Sequence, residues 1–479
     1  MIHAWSATEI VDKIKAKEVS PVEVMDHFLG RITALNPQIN AFVTLADAEA
    51  RQAAKQAEEA VVHGAALGPL HGVPVAIKDL TVTKGIRTTY GSPAYKDYIP
   101  DRDATVVQRL KQAGAIVVGK TNTPEFGHKG TTDNLLFGAT KNPWHLAMTA
   151  GGSSGGAAAA VAARLVPVAE GSDGGGSIRI PASFCGVYGF KPTFGRIPYD
   201  SNLSNVFSAH EPFLHHGTLT HAVEDAALLL QVMQGPTATD PFSLPRTDVS
   251  YREEMKKSVA GLKLAYTPDF GMYEVAPDVQ RKVRETLAQW RALGCTVEEI
   301  SLDFGMDLRT FITFFESMWH SAAAAGSGAL LEEHPELVSE SMQYMIRKGY
   351  ALSAVEFRQL EYTRTKLWLK VQEVMQTYDA LLSPTLAVTA FPHELLGPRE
   401  INGRAIKRDS DWMLTQMFNV TGMPAASLPV GFSADGLPIG LQIAADRFNE
   451  STVLRLSHAF ESAYGTSGVP STVAAAPVN

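Results

Sequence analysis

Through the first sixty-five residues, apolar positions recur every three or four residues, the period of an amphipathic helix. Ser6-Ala7-Thr8-Glu9 and Ser20-Pro21-Val22-Glu23 each set a serine three residues ahead of a glutamate. This is the capping box that satisfies the free N–H groups of a first helical turn. Pro21 at the first helical position reinforces the second box, whose helix is predicted to run to about Leu35. An alanine-rich helix is predicted from about Leu45 to Val62. These helices precede any strand signal, so residues 1–65 are expected to wrap the outside of the fold.

The pattern then alternates. Residues 73–78, VPVAIK, are apolar and partly β-branched, which predicts a buried strand ending at Lys78. A helix over about 104–113 leads to a strand over Ala115–Val118; the alanine-rich stretch 155–164 predicts a helix and Val166–Ala169 a strand. Such alternation predicts α/β layers, with helices covering a sheet. From about 250 to 410 the pattern is looser, with strands near 262–266, 296–300 and 380–383 and helices near 278–293 and 355–377. Ala426–Gly431 and Pro438–Ala444 flank Ser433-Ala434-Asp435-Gly436, a hairpin signal, and a final helix follows from about Glu450 to Ala463. The tail STVAAAPVN is expected to fray. Neither an internal repeat nor a low-complexity linker divides the chain. A single domain over 1–479 is therefore expected: a core at 66–200, a more variable helical region at 250–410 and a closing hairpin and helix at 423–465.

Composition narrows the function classes. The formal net charge is −8, so the basic excess that nucleic-acid or anionic-membrane binding requires is missing. No apolar run approaches the ~18 residues of a membrane span. The N-terminus lacks a basic segment followed by an apolar block, so it does not read as a signal peptide. Cys185 and Cys295 are too few for a disulfide framework, and a reducing cytoplasm is the expected location. A reactive Cys185 is conceivable, but Phe184, Val187 and Tyr188 favour a buried small hydrophobe. The histidines form no HxH, HExxH or Cys/His pattern, so no metal is expected.

Chemistry concentrates between Thr149 and Arg196. Ser153 and Ser154 stand among paired glycines, and Ser177 follows Gly174-Gly175-Gly176. Glycines beside a hydroxyl let a substrate approach and leave backbone N–H groups free to face it. Two patterns here are misleading. Gly114–Thr121 matches GxxxxGK[ST], but its variable residues are AIVV, which favour extended backbone, and TNTPEFG follows where a helix should begin. Gly151–Gly155 matches the GxSxG nucleophile elbow, which needs a strand before it and an acid and a histidine after it. NPWHLAMTA is a poor strand, and His210, His215, His216, His221, His320, His334, His393 and His458 sit in no supporting pattern.

If Ser177 is a nucleophile, it needs a base. Lys78, ending an apolar strand, would be partly desolvated, and burial lowers a lysine pKa. Working near pH 7 needs a drop of roughly 3 units from ~10.4. The competing reading pairs Lys78 with Asp79 or another carboxylate in a structural role.

These residues resemble the amidase signature family. The resemblance rests on VPVAIKDL (73–80), GKTNTPEFG (119–127), GGSSGG (151–156), EGSDGGGSIRIPASFCGVYGFKPTFGR (170–196) and MPAASLPVGF (423–432), and is strongest over roughly 70–200. It implies one large domain with a mixed central sheet covered by helices on both faces. It implies hydrolysis of linear amides, with Lys78 as base, Ser153 in a cis peptide as relay, and Ser177 as the nucleophile that forms an acyl-enzyme. It places oxyanion donors at the N–H groups of Gly174, Gly175, Gly176 and Ser177, a backbone carbonyl at about Gly127, and Ser154 as a hydrogen-bonding neighbour. The expected partner is a small-molecule amide, with no cofactor, nucleic acid or membrane; many relatives pair as homodimers, which makes a homodimer possible, while the sequence leaves the oligomeric state unread. Asp173 and Arg179 are read as an ion pair holding the loop. Phe126, Phe137, Trp144 and Phe207 are candidates for an apolar or aryl pocket, with ordinary core packing as the competing reading of each. Gly174 departs from the larger residue usual there, which predicts a looser loop. Gly217-Thr218-Leu219 replaces the usual GPL-type turn. The segment 200–215 does not resemble the glutaminase subunit of a tRNA-linked amidotransferase, the alternative activity within this family.

Overall fold

The computed structural model describes residues 1–207, 213–465, 468 and 470. Its centre is one eleven-stranded sheet. In chain order the strands are β1 (Phe42–Leu45), β2 (Pro74–Lys78), β3 (Ile116–Thr121), β4 (Val168–Asp173), β5 (Tyr188–Lys191), β6 (His215–Thr220), β7 (Lys263–Tyr266), β8 (Thr296–Glu299), β9 (Ala380–Pro384), β10 (Ala425–Phe432) and β11 (Pro438–Ala444). Across the sheet they lie in the order β1-β3-β2-β4-β6-β5-β10-β11-β9-β7-β8. The sheet is mixed: β3, β2 and β4 run parallel, as do β9, β7 and β8, while β6, β5, β10 and β11 join these blocks through antiparallel pairs.

Side chains on the central strands alternate between two cores, as the period of a strand requires. Val75, Ile77, Val117 and Val168 enter one core, with Ile10 and Phe28. Ala76, Ile116, Val118 and Ala169 enter the other, with Ile32 and the alanines of the helix Gly155–Ala162. Burial on both faces explains why β2 reads as one continuous apolar run.

Both predicted capping boxes form, with Ser6 Oγ accepting from Glu9 N–H at 3.0 Å and Ser20 Oγ from Glu23 N–H at 3.1 Å. The N-terminal segment is not purely helical, however. After Pro21–Ile39 ends on Asn40 in the left-handed region (φ 58°), β1 pairs antiparallel with β3, and the next helix, Asp47–Val62, follows it. Four residues are too few to show a period, so β1 is hidden in the sequence.

Strands β5 and β6 are also additions. β6 reads HHGTLT yet is buried throughout, so it carries no apolar signal. β4 extends beyond the predicted Ala169 to Asp173, through polar residues that are also buried. The predicted elements between 250 and 410 are present, and the additions among them include the helices Leu308–Glu333 and Glu340–Tyr350, packed together through Ala323, Ala324, Val338, Met342 and Ile346. Phe311, Phe314, Phe315 and Met318 tie this pair to the main core, so the region belongs to the same domain. The closing hairpin β10–β11 forms as predicted, with a register shift between Pro429 and Gly431 that absorbs the missing proline N–H. The predicted fraying tail, residues 471–479, and His210 lie outside the described residues. Among the described residues, no helix is long and apolar enough to cross a membrane.

Candidate active site

The glycine–serine run crosses the sheet at β4. A short hairpin, Lys141–Asn142 with His145–Thr149, precedes it. NPWHLAMTA thus does contain a strand, contrary to the sequence reading. It lies in a separate two-stranded sheet and not in the central one, so the nucleophile-elbow architecture is still not met. The Gly152–Ser153 peptide is cis. A Cβ on Gly152 would stand 2.4 Å from Thr131 O, so only glycine fits there. The helix Gly155–Ala162 starts immediately afterwards.

Lys78, the last residue of β2, is fully buried. Its Nζ lies 2.7 Å from Ser153 Oγ, 3.0 Å from Ser172 Oγ and 3.4 Å from Ser172 O. Burial strips the ammonium of water and lowers its pKa to about 7, while the Glu170 and Asp173 carboxylates oppose that shift. The structural alternative fails, because Asp79 turns away and accepts from Thr89 N–H and Oγ1–H. Glu170 instead accepts the backbone N–H of Lys78 at 3.0 Å, and its other oxygen meets His216 Nδ1 at 2.7 Å. Ser172 was missed in the sequence reading. Its position within EGSD, five residues before Ser177 on the strand beside Lys78, was the available signal.

Ser154 knits the two serine clusters together. Its N–H donates to Ser177 O at 3.0 Å and its Oγ to Ser172 O at 3.2 Å. Ser177 is partly exposed, lines a cavity of about 730 Å³, and its Oγ has no hydrogen-bond partner among the described residues. Gly175 and Gly127 line the same cavity. Gly127 (φ 73°) adjoins Ser153: a Cβ there would lie 3.3 Å from Ser153 Oγ.

The loop after β4 is held by the expected ion pair. Asp173 and Arg179 are both fully buried and joined by two bonds, of 2.9 and 3.0 Å. Burial alone would raise the Asp173 carboxyl, but the Arg179 guanidinium holds it below the usual carboxylate range. Asp173 also accepts the N–H of Gly176 at 2.8 Å and of Ile178 at 3.2 Å. This corrects one expected oxyanion donor, since the Gly176 N–H is already engaged. Gly174 is buried beneath Trp319 and Leu214, so the loop is filled where a looser one was predicted. Gly175 and Ser177 are left as the loop residues that open on the cavity.

The cavity's aromatic wall is not the predicted one. Phe126 packs on Tyr95, Arg87 lies over Phe137, Trp144 packs on Phe432, and Phe207 is exposed beside Phe242. Phe315, Trp319 and Tyr344, from the two helices the sequence left unread, form the wall with Met345 and Met413. Two further sequence readings agree with the structure. Residues 116–121 of the GxxxxGK[ST] match are extended, and Lys120 is buried, donating to Thr81 O and Thr83 Oγ1. Cys185 is fully buried, which pushes its thiol pKa up, away from reactivity.

Comparison with known proteins agrees with this picture. The Amidase family profile matches residues 23–454. An acylamidase of Rhodococcus erythropolis is 39% identical over 96% of this chain and 95% of its own. A glutamyl-tRNA(Gln) amidotransferase subunit of Geobacillus thermodenitrificans is 36% identical over 96% of this chain and 97% of its own. The crystal structure of a bacterial aryl acylamidase of the amidase signature family superimposes with a TM-score of 0.94, at 34% identity, over 99% of both chains.

Proposed function

The chain belongs to the amidase family and hydrolyses carbon–nitrogen amide bonds, and on that premise we propose that it cleaves small aryl amides through an acyl-enzyme on Ser177. Neutral Lys78 takes the Ser153 proton as Ser153 takes the Ser177 proton, and Ser177 Oγ attacks the carbonyl carbon. The N–H groups of Gly175 and Ser177 meet the oxyanion, where one such donor is typically worth ~10²–10³ in rate. The C–N bond breaks, the proton returns through Ser153 to the departing amine, and water then cleaves the ester.

One observation carries this reading. Among the described residues, a fully buried lysine without a carboxylate partner contacts Ser153, and the cavity beside it holds a serine hydroxyl with no hydrogen-bond partner. The aryl preference rests on Phe315, Trp319 and Tyr344 and on the likeness to the aryl acylamidase. Labelling with a fluorophosphonate and mapping the adduct tests the assignment, with anilides and alkyl amides assayed alongside. The adduct is expected on Ser177; an adduct on Ser153 or Ser154 overturns it.

The likeness to the amidotransferase subunit favours a second reading, a glutaminase that works with a partner. An aromatic wall suits a glutamine side chain poorly. Glutamine turnover that depends on a co-purifying protein, with anilides left untouched, would select this reading.

A further inference from the structure

Two consecutive loop glycines meet two aromatic residues one helical turn apart. A Cβ on Gly174 would stand 2.5 Å from Trp319 Cζ2 and 2.9 Å from its Cη2, and one on Gly175 would stand 2.9 Å from Phe315 Cζ. Carbon atoms in contact sit at about 3.5–4.0 Å, so both rings rest on bare backbone. Phe315 and Trp319 are spaced i, i+4 on Leu308–Glu333 and therefore share one face of that helix. Neither glycine has a φ in the left-handed region, so packing excludes a side chain: the two rings, nearest of all Trp319 Cζ2, with Leu214 Cδ2 at 2.9 Å from the Gly174 position. Gly175, Ser177 and both rings line one cavity.

We infer that Trp319 is the specificity-determining residue of this amidase and that Gly174 is the residue that admits it. The indole occupies the space a loop side chain would take, and so sets the clearance over Ser177. The inference rests on the reading of Ser177 as nucleophile. It makes Gly174 and Trp319 a reciprocal pair, in which a side chain at one position requires a smaller ring at the other.

The test is a double-mutant cycle of Gly174→Ala and Trp319→Phe, assayed on anilides with small and branched acyl groups and on acetamides of small and bulky anilines. Ser177→Ala serves as the control. Gly174→Ala is expected to lower kcat/KM at least about tenfold, as overpacking does. Trp319→Phe is expected to shift the ratio of bulky to small substrates at least about fivefold in one series. Adding Trp319→Phe should return the Gly174→Ala enzyme to within about threefold of Trp319→Phe alone. Additive losses in the cycle, with Ser177→Ala inactive, overturn the inference and leave the nucleophile standing. Turnover surviving in Ser177→Ala overturns the reading beneath it. Should Gly174→Ala fail to fold, Trp319→Phe decides alone, and unchanged selectivity in both series overturns the inference.

Discussion

Lys78 Nζ stands 2.7 Å from Ser153 Oγ, and no carboxylate among the described residues shares that contact. A buried ammonium would ordinarily be held by an acid. Here two serines take its hydrogen bonds, which suits a group that must lose its proton near neutrality. With a folded-state pKa of about 7, kcat/KM should rise with pH through 7 and level off above about 8. Lys78→Met should lose at least ~10² in rate and flatten that limb. The linkage has a fixed sign. The unfolded lysine binds its proton up to ~10.4 and the folded one only up to about 7, so wild type should gain stability on Lys78→Met between those values. The steepest gain is about 1.4 kcal/mol per pH unit. Urea titrations of both proteins at pH 7 and 9 measure it; equal differences at the two pH values would place the charge elsewhere.

Ser172 Oγ accepts from the same Nζ at 3.0 Å. An acceptor favours the ammonium, so removing it should lower the Lys78 pKa further and weaken the orientation of Nζ. Ser172→Ala is expected to cut kcat by about 5–50-fold, with KM little changed and the acid limb moved to lower pH. Each effect follows from a hydrogen bond worth roughly 1–2 kcal/mol. A limb that stays in place would make Ser172 a packing residue only.

Most of this site was legible because its parts carry local signals. The strand ending at Lys78 shows as a continuous apolar run, and the serines stand out among glycines. β6 was hidden because a buried polar strand such as HHGTLT pairs through its backbone and owes little to apolar side chains. The aromatic wall was hidden for another reason. Phe315 and Trp319 reach Gly174 and Gly175 across about 140 residues of chain, and local periodicity says nothing of what a helix packs against. The Gly176 N–H was misassigned because glycine reports freedom of approach, and only the position of Asp173 decides which amide is already taken.

The Asp173–Arg179 pair lies at 0% exposure on both sides, so replacing one partner strands a charge. Arg179→Met should cost about 3–5 kcal/mol in urea unfolding. Asp173 is held below its ordinary pKa, so its contribution is complete above about pH 4 and fades as the pH falls further. Because Asp173 also grips the N–H groups of Gly176 and Ile178, Ser177 labelling should slow in this variant even where it remains folded. Loss of stability with labelling unchanged would separate the ion pair from the loop.

Glu125 and His128 flank two residues in the left-handed region, Phe126 (φ 48°) and Gly127 (φ 73°), and both grip the start of the helix Glu340–Tyr350. The Glu125 carboxylate accepts from Ser339 N–H at 3.0 Å, from Ser339 Oγ–H and from Ser92 Oγ–H. Burial lowers the His128 pKa to about 4, so the ring is neutral at pH 7. Its Nδ1–H donates to Glu125 O at 2.6 Å, and Nε2 accepts from Ser341 Oγ–H at 2.7 Å. A non-glycine residue at positive φ costs of order 1–3 kcal/mol and persists where its surroundings fix it. This clasp does so while anchoring the helix that carries Tyr344 and Met345 into the cavity. Ser339→Ala with Ser341→Ala removes two hydroxyls and leaves the apolar contacts of Val338, Met342 and Ile346 in place. The expected result is a KM for anilides raised about 3–10-fold, a smaller fall in kcat and unchanged fluorophosphonate labelling of Ser177, in line with about 1 kcal/mol per lost hydrogen bond. An unchanged KM would show that apolar packing alone sets the position of the cavity wall.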